Sequence, residues 1–229
     1  DEHKFYSKFI KPYVVDTTNL LLKVINSGKK VIFESAQGTM LDVEFGSYPY
    51  VTSSNPISGG ISIGTGLPPS YIKKIVGVAK AYTTRVGEGI FPTELTGPIA
   101  EHLRKIGNEY GSTTGRPRRV GYLDIPMLRA AVDINALDYI ALTKVDVLGK
   151  LKEIKAAVSY EVNGSEVYKF DPSNPPERVN YEVFEPWAEN SANLEKYVEF
   201  VESQLKVPIV FVGNGEKRDS MISRGEISA

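Results

Sequence analysis

An α/β fold, a mostly parallel sheet flanked by helices, is what this sequence predicts, and three observations carry the expectation. Short apolar runs rich in branched residues (Lys30 to Phe33, Tyr139 to Leu142, Pro208 to Val212) alternate with longer segments of helical period. These runs are apolar throughout instead of alternating, as strands covered on both faces must be. Glycines, prolines and an Asn-Gly pair mark the junctions, so each run has a local stop. At 229 residues the chain can bury a sizeable core, read here as a single domain over 1–229.

In chain order, Asp16, Thr17 and Thr18 are N-cap residues before Leu20, Leu21, Leu22, Val24 and Ile25, and Gly28 sits where that helix should stop. A helix over 18–27 follows, then a buried strand at Lys30 to Phe33. Ligands of open α/β sheets bind just past the carboxyl ends of strands, which makes Gln37 a candidate contact. Residues 47–55 are rich in hydroxyls, and the run Gly59 to Gly66 would let backbone approach a phosphate. Its sequence, GGISIGTG, fits neither the dinucleotide fingerprint nor the phosphate-loop spacing. Pro68 and Pro69 open an expected helix from Tyr71 to Ala79. A strand is expected at Ala81 to Val86 and a helix at Ile99 to Ile106.

Asp124 caps a helix running through Met127, Leu128, Ala131 and Val132, and Tyr139 to Leu142 is a buried strand ending in Thr143, Lys144, Val145, Asp146. Asn163-Gly164 is the strongest hairpin signal, between Glu153 to Val162 and Val167 to Phe170. That hairpin, 153–170, is expected as an antiparallel addition at the edge of the parallel sheet. Prolines at 172, 175, 176 and 186 predict an irregular surface excursion. A helix at Leu194 to Leu205 and a strand at Pro208 to Val212 lead into Gly213, Asn214, Gly215.

The chain is 41% hydrophobic and 24% charged with a net charge of −1, so no global basic field for nucleic acid exists. It has no cysteine, which excludes disulfides and thiolate chemistry and favours a reducing, cytoplasmic setting. No apolar run is long enough to span a bilayer, so no membrane partner is expected.

Positive charge is concentrated locally in Gly111, Ser112, Thr113, Thr114, Gly115, Arg116, Pro117, Arg118, Arg119. Three guanidinium groups stand within four residues, and no carboxylate lies between Glu109 and Asp124 to neutralise them. Arginine's planar fork pairs two oxygens of a carboxylate or phosphate at once. Thr113 and Thr114 add hydroxyl donors, while Gly111 and Gly115 let the backbone turn its N–H groups toward an anion. The loop 111–119 therefore reads as an anion-binding loop.

Thr143, Lys144, Val145, Asp146 has a specific physical use at a strand end. A carboxylate accepts two hydrogen bonds from N1–H and the exocyclic amine of guanine, whereas adenine presents an acceptor at N1 and would be repelled. The lysine stem can lie along the base face. The bare alternative is a capped turn in which Asp146 starts the next helix.

Taken together, ESAQGTMLD (Glu34 to Asp42), YPYVTSSN (Tyr48 to Asn55), KAYTTRVGEGIFPTEL (Lys80 to Leu95), GNEYGSTTGRPRRVGYLD (Gly107 to Asp124) and LTKVDVL (Leu142 to Leu148) closely resemble adenylosuccinate synthetase. The resemblance implies a P-loop NTPase-like synthetase fold, present here as its carboxy-terminal portion. It also implies GTP-dependent ligation of L-aspartate to inosine monophosphate (IMP), with GTP as co-substrate. By resemblance, Gln37 contacts the hypoxanthine near the reacting oxygen and Thr52 holds the nucleotide 5′-phosphate. Ser112, Thr113, Thr114, Gly115, Arg116 and Arg118 form the aspartate loop, with Arg116 shared with IMP and Arg118 reaching GTP. Lys144, Val145 and Asp146 read guanine together with Gly213, Asn214 and Gly215. Ser35, Pro117 and the segment Gly213 to Glu216 depart from the family's usual residues.

The family's phosphate loop, catalytic aspartate, catalytic histidine and Mg2+ ligands are expected upstream of Asp1, and no G-x-x-x-x-G-K-[ST] string occurs in the chain. Neither His3 nor His102 sits in the family's catalytic motif. The chain alone is accordingly expected to be inactive, and the intact protein to be a cytoplasmic homodimer. The competing reading is a stand-alone nucleotide-binding or regulatory module without catalysis.

Overall fold

The computed structural model describes residues 2–111, 115–188 and 191–228. Helices α1 (Glu2–Ile10) and α2 (Thr17–Asn26) open the chain. Asp16 caps α2 by accepting a hydrogen bond from Asn19 N at 3.0 Å, so the cap residues act where the sequence placed them. Then come α3 (Gly59–Thr65), β1 (Val76–Lys80), β2 (Thr83–Arg85), α4 (Gly97–Ile106), β3 (Arg119–Gly121) and β4 (Leu123–Asp124). They are followed by α5 (Ile125–Asn135), β5 (Tyr139–Thr143), α6 (Val145–Leu148), β6 (Ile154–Val162), β7 (Ser165–Val167) and β8 (Arg178–Phe184). The order ends with α7 (Ala192–Leu205), β9 (Ile209–Gly213) and β10 (Met221–Ser223).

The principal sheet has the order β1-β5-β9-β10. Strands β1, β5 and β9 run parallel, with Val76 opposite Tyr139 and Lys80 opposite Thr143, and β10 closes one side antiparallel to β9. One apolar cluster covers this sheet and reaches into α4, α5 and α7. Its members include Leu103, Ile125, Leu142, Leu148, Tyr197, Val201 and Ile209. The mostly parallel α/β architecture expected from the sequence is thus present, together with a second, mixed sheet.

That second sheet corrects the placement of the hairpin. Asn163 and Gly164 do form the turn, with φ of 50° and 73°, the two positive values a type I′ connection requires. The hairpin β6–β7 does not extend the parallel sheet, however. Strand β6 lies at the centre of its own sheet, pairing with β4 in parallel and with β7 and β8 antiparallel. The reason is β8: the proline-rich stretch expected to be irregular contains a seven-residue strand that pairs along the length of β6. Strand pairing supplied the backbone partners that local composition could not announce.

Two further expectations fail. Lys30 to Phe33 is not a strand, and Ile32 is 92% exposed; an apolar run becomes a strand only where another edge accepts its hydrogen bonds. Tyr71 to Ala79 is not a helix, because the prolines open only a 3₁₀ turn at Pro69–Tyr71 and the branched residues after Ile75 pair with β5. The glycine-rich run forms α3, closed by Gly66 at φ 71°. The strand expected over Ala81 to Val86 shortens to β2, since Ala81 and Tyr82 turn into the core.

Candidate functional site

Because β1, β5 and β9 are parallel, their carboxyl ends lie on one side of the sheet. The residues that follow them (Ala81 and Tyr82, Lys144 to Asp146, Asn214 and Gly215) share that side, where open α/β sheets hold ligands. Ala81 N donates to Thr143 O at 2.8 Å, which ties the first two segments together.

Lys144 leaves β5 in the left-handed region, at φ 64° and ψ 25°, and its carbonyl accepts from Val147 N and Leu148 N at 3.2 Å each. A non-glycine residue held there is strained, a condition that clusters at ligand clamps. Its Nζ donates to Gly107 O at 3.1 Å. Val145, expected to contact nucleotide, points its side chain into the core at 0% exposure while its carbonyl accepts from Trp187 Nε1 at 3.0 Å. Asp146 sits half-buried in the first turn of α6. Gly213 passes so near that a Cβ on it would stand 3.3 Å from Thr143 Cα. Asn214 N donates to Ser220 O at 2.9 Å, and its buried amide Nδ2 has no partner among the described residues. The structure therefore brings 143–146 and 213–215 together.

The residues on either side of 112–114 in the arginine loop pair with one another. Tyr110 pairs with Pro117, Gly111 N donates to Arg116 O at 2.9 Å, and Gly115 N donates to Gly111 O at 2.8 Å with Gly115 at φ 64°. Ser112, Thr113 and Thr114 lie outside the described residues. The expectation that no carboxylate neutralises these arginines is corrected, because Glu94, 25 residues before Arg119, and Glu109, at the edge of the carboxylate-free stretch nine residues before Arg118, supply two. Arg119 forms a bidentate pair with Glu94, donates to the carbonyls of Gly87 and Gly89, and is held charged chiefly by the Glu94 hydrogen bonds. Arg118 Nη1 donates to Glu109 Oε2 at 2.6 Å. Arg116 is exposed at the mouth of a cavity.

Glu109 is a centre the sequence reading missed. It is 1% exposed, and its carboxylate also accepts from Lys80 Nζ at 2.8 and 2.9 Å and from Tyr82 OH at 2.7 Å. Burial opposes its ionisation, but hydrogen bonds from Lys80, Tyr82 and Arg118 together hold its pKa below the ordinary value. Burial lowers Lys80, with Arg118 and Lys144 adding repulsion against the pull of Glu109. Lys80, Tyr82 and Glu109 all fall inside two of the quoted motifs, which was their one signal in the sequence.

Gln37 and Thr52 also come together, Gln37 Nε2 donating to Thr52 Oγ1 at 3.3 Å with Gln37 at φ 65°. The strand invoked to present Gln37 is absent; a turn organised by Asp42 serves instead. Asp42 is wholly buried and accepts from the backbone of Glu44 and Phe45 at 2.9 and 3.1 Å, and Leu41 O accepts from Thr52 N at 2.8 Å. Next along this segment, Tyr50 lines a cavity of about 590 Å³ with Gly87, Glu88, Gly89, Ile90, Arg116 and Arg119. Arg85 braces its wall by donating to Tyr50 O at 2.9 Å and Glu88 O at 2.7 Å. Gly89, at φ 103°, leaves room for that guanidinium, since a Cβ would approach Arg85 Nη2 to 2.5 Å.

Among the described residues no group of three or more His, Asp or Glu side chains is placed to hold a metal ion. Mg2+ ordinarily takes one or two carboxylates together with substrate phosphates and water, so such a cluster is not required to hold it. Nor is any described helix long and apolar enough to cross a membrane.

The sequence profile of the adenylosuccinate synthetase family matches residues 1–222. Adenylosuccinate synthetase of Thermus thermophilus is 47% identical over 225 residues, covering 93% of this chain and 53% of that protein. The chloroplastic adenylosuccinate synthetase of Chlamydomonas reinhardtii is 46% identical over 231 residues, covering 95% and 50%. The structure of fully ligated adenylosuccinate synthetase from Plasmodium falciparum matches with a TM-score of 0.92 at 38% identity, over 97% of this chain and 56% of that one. A cyanophage S-2L succinoaminodeoxyadenylate synthetase bound to dGMP and dATP matches at TM-score 0.53 and 20% identity, a likeness of fold alone. The chain spans about half the length of the curated relatives it matches. With the profile spanning nearly all of it, and close to half of its residues shared with each of these two relatives, this chain belongs to the adenylosuccinate synthetase family.

Proposed function

We propose that this chain carries the guanine-reading element, the arginine-rich aspartate loop and much of the IMP site of an adenylosuccinate synthetase. The observation that carries the reading is the meeting of Lys144 and Asp146 with Gly213 to Gly215 past adjacent parallel strands. There Asp146 accepts from guanine N1–H and the 2-amino group, and the Lys144 stem lies along the base. The buried, unpartnered amide of Asn214 supports a donor to guanine O6. Gln37 and Thr52 serve the hypoxanthine and 5′-phosphate of IMP, and Arg116, at the cavity mouth, serves both IMP and the carboxylates of aspartate. Ser112, Thr113, Thr114, Gly115 and Arg118 complete the aspartate loop, Arg118 also reaching GTP.

In the reaction of the whole enzyme, the γ-phosphoryl group of GTP moves to the purine 6-oxygen, and the amine of aspartate then displaces it as phosphate. Phosphoryl transfer depends on positioning and on charge stabilisation of that group. No phosphate-loop string occurs in these residues, so turnover by this chain alone is not expected. Assembly as a homodimer and a cytoplasmic setting belong to the same proposal.

Calorimetric titration with GDP, then with IMP, tests it. Saturable binding of GDP but not ADP is expected, and Asp146→Asn should weaken GDP by roughly tenfold or more through loss of two charge-assisted hydrogen bonds. Equal affinity for GDP and ADP, or no effect of Asp146→Asn, removes the guanine assignment.

A further inference from the structure

Arg118 stands between the two elements that the proposed function assigns to different ligands. On one side it belongs to the arginine loop. On the other, its backbone N–H donates to Glu109 O at 2.9 Å, its carbonyl accepts from Arg104 Nε at 2.9 Å, and Lys144 grips the same segment at Gly107 O. Its side chain is anchored to the buried Glu109 carboxylate.

A carboxylate with a single guanidinium partner largely cancels its charge and leaves little attraction for an outside anion. Glu109 does not act this way, because Lys80 donates to both of its oxygens and Tyr82 to one. Two cations over one carboxylate leave a surplus positive charge, and the Lys80 and Arg118 side chains are still 27% and 31% exposed. A guanidinium has five N–H donors, and the contact with Glu109 engages Nη1. Holding a long side chain in place beforehand also saves the rotamer entropy that binding would otherwise cost.

We propose that Glu109 is a positioning residue that holds Arg118, with Lys80 as compensating cation, as a preformed anion-binding edge for the polyphosphate of a nucleotide, between the arginine loop and the guanine-reading strand end. It rests on the nucleotide-site reading above and adds to it Lys80 as a binding residue and Glu109 as the group that aims Arg118.

Glu109→Gln separates positioning from bulk charge, because the two predict opposite signs. Removing a buried negative charge without changing shape should tighten anion binding if field alone matters. If positioning matters, binding should weaken. The full chain and its Glu109→Gln and Lys80→Met variants are titrated with GDP and with inorganic pyrophosphate, with circular dichroism confirming the fold. We expect each variant to bind both probes roughly tenfold more weakly. Unchanged or tighter binding of pyrophosphate by Glu109→Gln overturns the proposal; should that variant not fold, unchanged binding by Lys80→Met, whose side chain is partly exposed, does so. Pyrophosphate binding without GDP binding would sink the nucleotide reading and uphold the edge. Binding of neither sinks the edge itself. Asp146→Asn serves as control, weakening GDP but leaving pyrophosphate unchanged.

Discussion

Asp124 is 1% exposed and yet bears a carboxyl that caps α5, accepting from Met127 N at 3.0 Å and from the hydroxyl of Tyr160. Burial pushes its pKa up to about 6, against the opposing pull of the Tyr160 and Met127 hydrogen bonds. For an acid with a raised pKa, the folded state keeps a proton that the unfolded chain has already released. Stability therefore falls as pH rises from about 4 to 6, by roughly 3 kcal/mol from this group. Asp124→Asn preserves a good cap and cannot titrate. Urea titrations at several pH values should show that the variant lacks this share of the slope; an identical slope in both proteins would place the titration elsewhere.

Helix α5 is also informative as an element. It ends at Ala136, which adopts φ 49° and ψ 56° so that Leu137 N can turn back to Val132 O at 3.2 Å. This left-handed stop is the position glycine favours, and alanine holds it at a cost. Ala136→Gly should raise stability by about 0.5–1 kcal/mol, relief of strain exceeding the added unfolded-state entropy. An unchanged or lower urea midpoint would show that the turn carries no such strain. Helices with local signals of this kind could be read before folding: caps and apolar periods placed α2, α4, α5 and α7 within a few residues. Segments lacking them could not. Lys30 to Phe33 looks like a strand in isolation, and Tyr71 to Ala79, which contains most of β1, looks like a helix, until the availability of a pairing edge decides both.

Across the whole molecule, β1 is an edge of the principal sheet among the described residues, and Val78 on it is 76% exposed. Exposed apolar edge strands template association. Phe5, Phe9 and Ile10 of α1 add further apolar surface. Concentration-dependent self-association is expected in sedimentation velocity, and Val78→Lys should reduce it while changing stability by less than about 0.5 kcal/mol. Association that is indifferent to Val78→Lys would assign it to another surface.

The sequence was sufficient for whatever depends on neighbours a few residues away. It showed the helix caps, the Asn163-Gly164 turn and the motifs that name the family. Where the charges go was not legible, because the partners are remote: Lys80 meets Glu109 across 29 residues and Arg119 meets Glu94 across 25. An arginine cluster without local carboxylates looked wholly available to ligand. Folding engaged Arg119 with Glu94 and placed Arg118 over a carboxylate already compensated by Lys80. Pairing over such separations depends on which strand ends and loops the sheet order brings side by side. No local propensity encodes that order, so the division of the arginines between scaffold and site was settled by packing alone.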